Sequence, residues 1–184
     1  FFCYILKLNM DLKKYIRSIK DYPKKGILFR DITTLIKNPD ALKYTIDRIN
    51  DISKKITFDK VSAIESRGFI FASAISYLTK KPLVLLRKKN KLPADRHSIN
   101  FKLEYGEATI EVHKDSISKN EKVLVIDDLI ATGGTAEAAA KLIEVSGGEV
   151  AGFIFVICLF DLPGEKLLKD KSYFVESLIK FPGH

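Results

Sequence analysis

Four stretches of this chain are apolar on consecutive residues, and segments with helical spacing separate them. They are Val61-Ser62-Ala63-Ile64, Leu83-Val84-Leu85-Leu86, Val123-Leu124-Val125-Ile126 and residues 150–160. A strand with apolar side chains on both faces has to be covered on both, which is the situation of a parallel sheet layered between helices. Residues 69–78 and 135–145 supply helices of the right length between those strands. The fold class is therefore α/β, with a central, mainly parallel sheet. At 184 residues the chain makes one domain, long enough to bury a core without disulfide staples.

The flanking stretches are less regular. Leu12, Tyr15, Ile16 and Ile19 recur at helical spacing from Asp11, and Asp21-Tyr22-Pro23 ends that pattern. Residues 25–31 read as a loop or short strand, after which Asn38-Pro39 caps a second helix carrying Leu42, Ile46, Ile49 and Ile56 on one side. Residues 87–118 form a charged, irregular excursion in which Thr109-Ile110-Glu111-Val112-His113 alternates like a β-ribbon. Long non-helical inserts of this kind are often active-site flaps. The only methionine is Met10, so residues 1–9 are expected to be an upstream extension of a domain covering 10–184.

Charge gives a sharper clue when it is split along the chain. The formal net charge is +8. Residues 1–100 hold 22 basic and 9 acidic side chains, a net of +13, whereas residues 101–184 hold 9 and 14, a net of −5. A nucleic acid is one partner that a basic half could serve, and a small phosphorylated substrate is another. Cys3 and Cys158 are far apart in sequence, which argues against a disulfide framework or a Cys-rich zinc site. His97, His113 and His184 form no recognisable ligand set, and no apolar run approaches the roughly 20 residues of a membrane span.

The chemistry concentrates in Val123-Leu124-Val125-Ile126-Asp127-Asp128-Leu129-Ile130-Ala131-Thr132-Gly133-Gly134-Thr135, which runs directly into a helix. A buried strand here delivers two carboxylates to its C-terminal edge, where open α/β sheets bind ligands. Gly133 and Gly134 let the backbone close on an anion at the helix N-terminus, and Thr132 and Thr135 add hydroxyl donors. One ligand carrying both a diol and a phosphate satisfies the whole segment. Neither a G-x-G-x-x-G nor a P-loop pattern is present.

With these residues in view, the chain resembles the type I phosphoribosyltransferases, and within them the branch that uses adenine. The resemblance runs from Asp11 to His184. It is carried by Asp21-Tyr22-Pro23 with Gly26-Ile27-Leu28-Phe29-Arg30-Asp31, by Glu65-Ser66-Arg67-Gly68-Phe69, by Arg87-Lys88 with Lys91-Leu92-Pro93, by Leu103-Glu104-Tyr105-Gly106, and by the Asp-Asp to Thr-Gly-Gly-Thr segment. The ending Phe181-Pro182-Gly183-His184 resembles bacterial members, while residues 93–102 are the least family-like stretch.

The resemblance implies a sheet with a flexible flap and a small hood for the base. It also implies transfer of 5-phosphoribosyl from phosphoribosyl pyrophosphate to N9 of adenine, giving AMP and pyrophosphate. Mg²⁺ is implied as cofactor, bound mainly through substrate oxygens, with no direct protein ligand. By the same resemblance Glu65, Ser66, Arg67, Arg87, Lys88 and Lys91 surround pyrophosphate, with a cis peptide between Glu65 and Ser66. Asp127, Asp128, Ala131, Thr132, Gly133, Gly134 and Thr135 take the ribose and its phosphate. Leu28, Phe29, Arg30, Leu129 and Leu162 take adenine, with backbone groups of Leu28 and Arg30 reading its edge. Glu104 and Arg67 are the catalytic candidates, and Tyr105 belongs to the closing flap. A cytoplasmic homodimer is expected, with no nucleic-acid or membrane partner. The competing readings are a phosphoribosyltransferase for another base, and a regulator that senses phosphoribosyl pyrophosphate and binds nucleic acid through the basic half.

Overall fold

A computed structural model of the chain describes residues 10–103 and 106–183. The expected extension at residues 1–9, the flap candidates Glu104 and Tyr105, and His184 lie outside the described residues. A single 3-10 turn at Leu12–Tyr15 leads into β1 (Arg17–Lys20), which pairs antiparallel with β2 (Leu28–Asp31) as a separate hairpin. Next come α1 (Thr33–Lys37), α2 (Pro39–Ser53), β3 (Lys60–Ile64), α3 (Gly68–Thr79) and β4 (Leu83–Lys88). An antiparallel ribbon, β5 (Arg96–Leu103) and β6 (Gly106–His113), is followed by β7 (Lys122–Ile130), α4 (Gly134–Val145), β8 (Glu149–Leu159), α5 (Gly164–Asp170) and β9 (Val175–Phe181).

The main sheet has seven strands in the order β5-β6-β4-β3-β7-β8-β9. The five from β4 to β9 are parallel, and the ribbon adds antiparallel pairing along the β4 edge. The two faces of β7 show why its aliphatics are consecutive. Leu124 and Ile126 pack with Val61, Ala63, Phe71 and Ile75 on the α2 and α3 side. Val123 and Val125 pack with Ala139, Leu142, Phe153 and Phe155 on the α4 side. Among the described residues, no helix is long and apolar enough to cross a membrane.

Asn38 caps α2 as expected, accepting from Ala41 N at 2.9 Å with Pro39 at the first turn. Other expectations need correction. The helical spacing from Asp11 yields only one turn: Ile16 N already bonds Lys13 O, and Ile19 sits in β1 opposite Phe29. Leu12, Tyr15 and Ile16 fit a single turn equally well, and the hairpin takes Ile19. Ile56 lies beyond the end of α2 at Ser53. Strand β7 continues to Ile130, so the acidic pair sits within the strand, and β4 continues through Arg87 and Lys88. The ribbon strands cover residues 96–103 and 106–113, more than the alternating end suggested. Helices α1 and α5 and strand β9 answer to no expectation drawn from sequence.

Candidate active site

Strands β3, β4 and β7 run parallel and side by side, so their carboxyl ends meet at one edge of the sheet. The expected residues gather there. After β3 the chain turns through Glu65-Ser66-Arg67, and the Glu65–Ser66 peptide is cis. Glu65 reaches across to β4, where its Oε2 accepts from Arg87 Nε at 3.0 Å and from Lys88 N at 2.8 Å. The Arg87 hydrogen bond holds the Glu65 carboxyl below its ordinary pKa; burial works against it, and Lys88 N and the Lys91 charge help. One carboxylate thereby orders the cationic stretch 87–91, leaving Lys88 and Lys91 exposed.

Arg67 stands between two parts of the site. Its Nε lies 2.9 Å from Asp128 Oδ2, and its guanidinium sits over the Phe29 ring, 5.2 Å from the ring centre. The approach to Asp128 is an ion pair without a well-directed hydrogen bond, so that buried oxygen still lacks a donor. A ligand hydroxyl would supply one. Asp127 Oδ1 accepts from Asp128 N at 2.9 Å. Burial, then the Asp128 charge, raises the Asp127 pKa well above its usual value. Burial also raises that of Asp128, against the pull of Arg67. Burial and mutual repulsion favour keeping a proton on this pair, so its oxygens can both donate to and accept from a sugar diol.

Past the strand end, residues Ala131 to Thr135 curl around a small pocket of about 140 Å³, lined by Asp127, Thr132, Gly133 and Thr135 among others. Gly133 takes φ +89° at the N-cap of α4, a conformation glycine adopts freely. Its backbone presses on α5, since a Cβ there would lie 2.8 Å from Gly164 Cα. Gly164 N donates to Ala131 O at 3.0 Å, tying the loop from the other side. The first-turn amides of α4 have no side-chain cap, an arrangement that with the helix dipole favours an anion. Gly134, also expected here, opens α4 and lines the groove toward the ribbon instead.

A second cleft, of about 300 Å³, adjoins the first through Leu129 and Ala131. All five expected base contacts, Leu28, Phe29, Arg30, Leu129 and Leu162, line it together with Arg67. Sequence reasoning missed Lys25, Leu159 and Gly183, which also line it, the last two from segments distant in sequence from Phe29. It missed Glu111 as well, a carboxylate with 2% exposure that accepts from Asn90 N at 3.0 Å and pairs with Arg96 Nε at 3.1 Å. Glu111 ties the loop after β4 to the ribbon, and its alternating neighbours signal only an outward-facing residue.

Among the described residues, no three His, Cys, Asp or Glu side chains gather as a metal cage. Asp127, which lines the pocket, and Asp128 beside it are only two such groups, so a cation held there would take most of its ligands from substrate oxygens and water.

A sheet with this strand order, an acidic pair toward its carboxyl edge and two adjoining pockets of about 140 and 300 Å³ is the arrangement of the phosphoribosyltransferase class. Residues 32–183 match the family described as the phosphoribosyl transferase domain. The adenine phosphoribosyltransferase of Pelagibacter ubique is 66% identical over 175 residues, covering 95% of this chain and all of that protein. The crystal structure of adenine phosphoribosyltransferase from Thermoanaerobacter pseudethanolicus superposes with a TM-score of 0.88 at 43% identity, covering 92% of this chain and 98% of that one. The Giardia lamblia enzyme complexed with 9-deazaadenine gives a TM-score of 0.88 at 33% identity, covering 93% and 96%. The chain belongs to the adenine phosphoribosyltransferase family.

Proposed function

We propose that this chain transfers 5-phosphoribosyl from phosphoribosyl pyrophosphate to N9 of adenine, releasing AMP and pyrophosphate as a step of purine salvage. The observation that carries the reading is the joining of two clefts at Leu129 and Ala131, with Arg67 reaching from Phe29 to Asp128 across the junction. A nucleotide needs that arrangement: base on one side, phosphate on the other, ribose between.

In the reaction the C1′–O bond to pyrophosphate breaks, the N9–C1′ bond forms, and the N9 proton is lost. Positive charge builds on the ribose while negative charge builds on the leaving group, so catalysis consists largely of stabilising the separated charges. Arg67, Arg87, Lys88 and Lys91 receive the pyrophosphate, with Glu65 aligning Arg87 and Ser66 in the same turn. Asp127 and Asp128 accept from the ribose hydroxyls, and the turn from Ala131 to Thr135 holds the 5′-phosphate. Phe29, Leu129 and Leu162 offer apolar faces to adenine, and backbone groups of Leu28 and Arg30 read its edge. Glu104 takes or steadies the imidazole proton and Tyr105 helps cover the site; both roles rest on the family resemblance. Mg²⁺, when bound through substrate oxygens and water with no direct protein ligand, would supply neutralisation of the leaving-group charge. A homodimer and a cytoplasmic setting complete the proposal on the same ground.

The test is a competition with Mg²⁺, phosphoribosyl pyrophosphate and equal adenine, hypoxanthine, guanine and orotate, read by mass. AMP should dominate. IMP or GMP in excess, or no nucleotide at all, refutes the reading.

A further inference from the structure

Arg30 belongs to the base cleft, yet its guanidinium is spent on something other than a ligand. It is only 5% exposed; Nη1 donates to Ser18 Oγ, and Nη2 donates to Pro182 O at 2.7 Å. It also lies over the Phe181 ring at 4.4 Å from the centre. Burial lowers its pKa from the ordinary value, and the nearby Asp161 charge opposes that. A guanidinium taken this far out of water is costly unless its donors are met, and Nε finds no partner among the described residues. The contact it makes in return fixes the backbone just after β9.

That backbone is fastened a second time. Gly183 N donates to Asp161 Oδ1 at 2.7 Å. Gly183 itself lines the base cleft, as does Leu162. A Cβ on Gly183 would come within 2.9 Å of Asp161 Oδ1 and within 3.1 and 3.2 Å of Leu162 Cγ and Cδ1. Gly183 therefore packs close against Leu162 and the Asp161 carboxylate, and a methyl there would require one of those two side chains to shift.

We propose that residues 181–183, clamped by Arg30 and Asp161, form a wall of the base cleft that sets how tightly the base is held, with Arg30 as a positioning residue. This rests on the adenine reading above. The wall acts through Leu162: the clamp fixes Pro182 and Gly183, Gly183 fixes the leucine side chain, and the leucine fixes the width of the cleft.

The test uses Gly183→Ala, Arg30→Gln and Arg30→Lys in the full chain, with initial rates measured while adenine and phosphoribosyl pyrophosphate are varied in turn. In Gly183→Ala and Arg30→Gln the KM for adenine should rise roughly tenfold, the scale of a one-methylene misfit in a pocket. The KM for phosphoribosyl pyrophosphate should stay within about twofold, because no uniform binding to that substrate is removed. Arg30→Lys should recover part of the loss by returning a donor to Pro182 O. An unchanged KM for adenine in Gly183→Ala, or equal rises for both substrates, overturns the wall. If Arg30→Gln does not fold, Gly183→Ala decides alone, since it leaves the buried guanidinium in place. Absence of AMP formation by the unaltered chain would instead overturn the underlying activity before any variant is compared.

Discussion

Gly68 is the first residue of α3, and substituting it tests how the acidic pair is aimed. A Cβ at this position would lie 2.7 Å from Asp127 Oδ1, 2.9 Å from Ile126 O and 3.3 Å from Asp127 Cα. Two of these atoms are backbone of β7, which is hydrogen-bonded to β3 on one side and β8 on the other and has nowhere to retreat. The carboxylate is the part able to move, although Oδ1 also holds Asp128 N. Forcing a methyl into such a space costs about 1–3 kcal/mol, while replacing glycine by alanine in a helix returns up to about 1 kcal/mol. The net destabilisation of Gly68→Ala is about 0–3 kcal/mol, a fall in Tm of no more than about 12 °C for a chain of this size. Activity should fall further. If Asp127 holds the ribose as proposed, moving it removes a hydrogen bond of about 0.5–1.5 kcal/mol, which is roughly 2- to 12-fold in kcat/KM. The assay pairs calorimetric melting with steady-state AMP formation, and Ser73→Ala on the exposed side of α3 controls for helix propensity. A Gly68→Ala enzyme with kcat/KM within about twofold of the parent would refute the argument, because the methyl would then have been absorbed without disturbing Asp127.

Asp127→Asn should raise Tm near neutral pH while abolishing most activity. The raised Asp127 carboxyl costs stability as pH climbs from the unfolded value of about 3.9 through its folded value, and the amide removes that cost. Melting from pH 4 to 8 should show the gain growing with pH; a gain that shrinks with pH would contradict it. Asp31 and Glu65 behave oppositely. Despite the opposing effect of burial, hydrogen bonds from Arg17 and Thr33 hold Asp31 below its ordinary value, and Arg87 does the same for Glu65. Their stabilisation is present above about pH 4 and is lost as pH falls through the lowered values, so Asp31→Asn should flatten the acid limb of a Tm profile. Glu65→Gln should raise the KM for phosphoribosyl pyrophosphate about 5- to 20-fold with little effect on the KM for adenine, through loss of a charged hydrogen bond to Arg87. In Glu111→Gln, amide exchange at Asn90 should quicken, because its acceptor becomes a weaker neutral oxygen; unchanged protection would count against the role of Glu111.

The central sheet and the pocket built by residues 127–135 were legible because their signals are contiguous. Val123 to Ile126 demand cover on both faces, and Asp127-Asp128 followed by small residues has no packing purpose. The base cleft was legible only in part. Leu28, Phe29 and Leu162 came from the family resemblance, while Gly183 and Asp161 enter through a meeting of chain ends that no local pattern encodes. Glu111 was hidden by its own alternation, since a charge between Ile110 and Val112 reads as solvent-facing until the loop at Asn90 folds over it. Ile19 reads as helical from spacing alone, which does not distinguish a long helix from one turn followed by a hairpin strand.

The shared wall of Leu129 and Ala131 also has a consequence for affinity. Adenine and ribose 5-phosphate would each occupy one compartment and each lose their own freedom of motion on binding. AMP loses that freedom once, so its second half binds at an effective concentration fixed by the ribose rather than by the solution. The free energy of AMP binding should therefore exceed the sum for its two fragments, and dissociation of the nucleotide, which must leave both compartments together, becomes a natural place for the turnover rate to be limited.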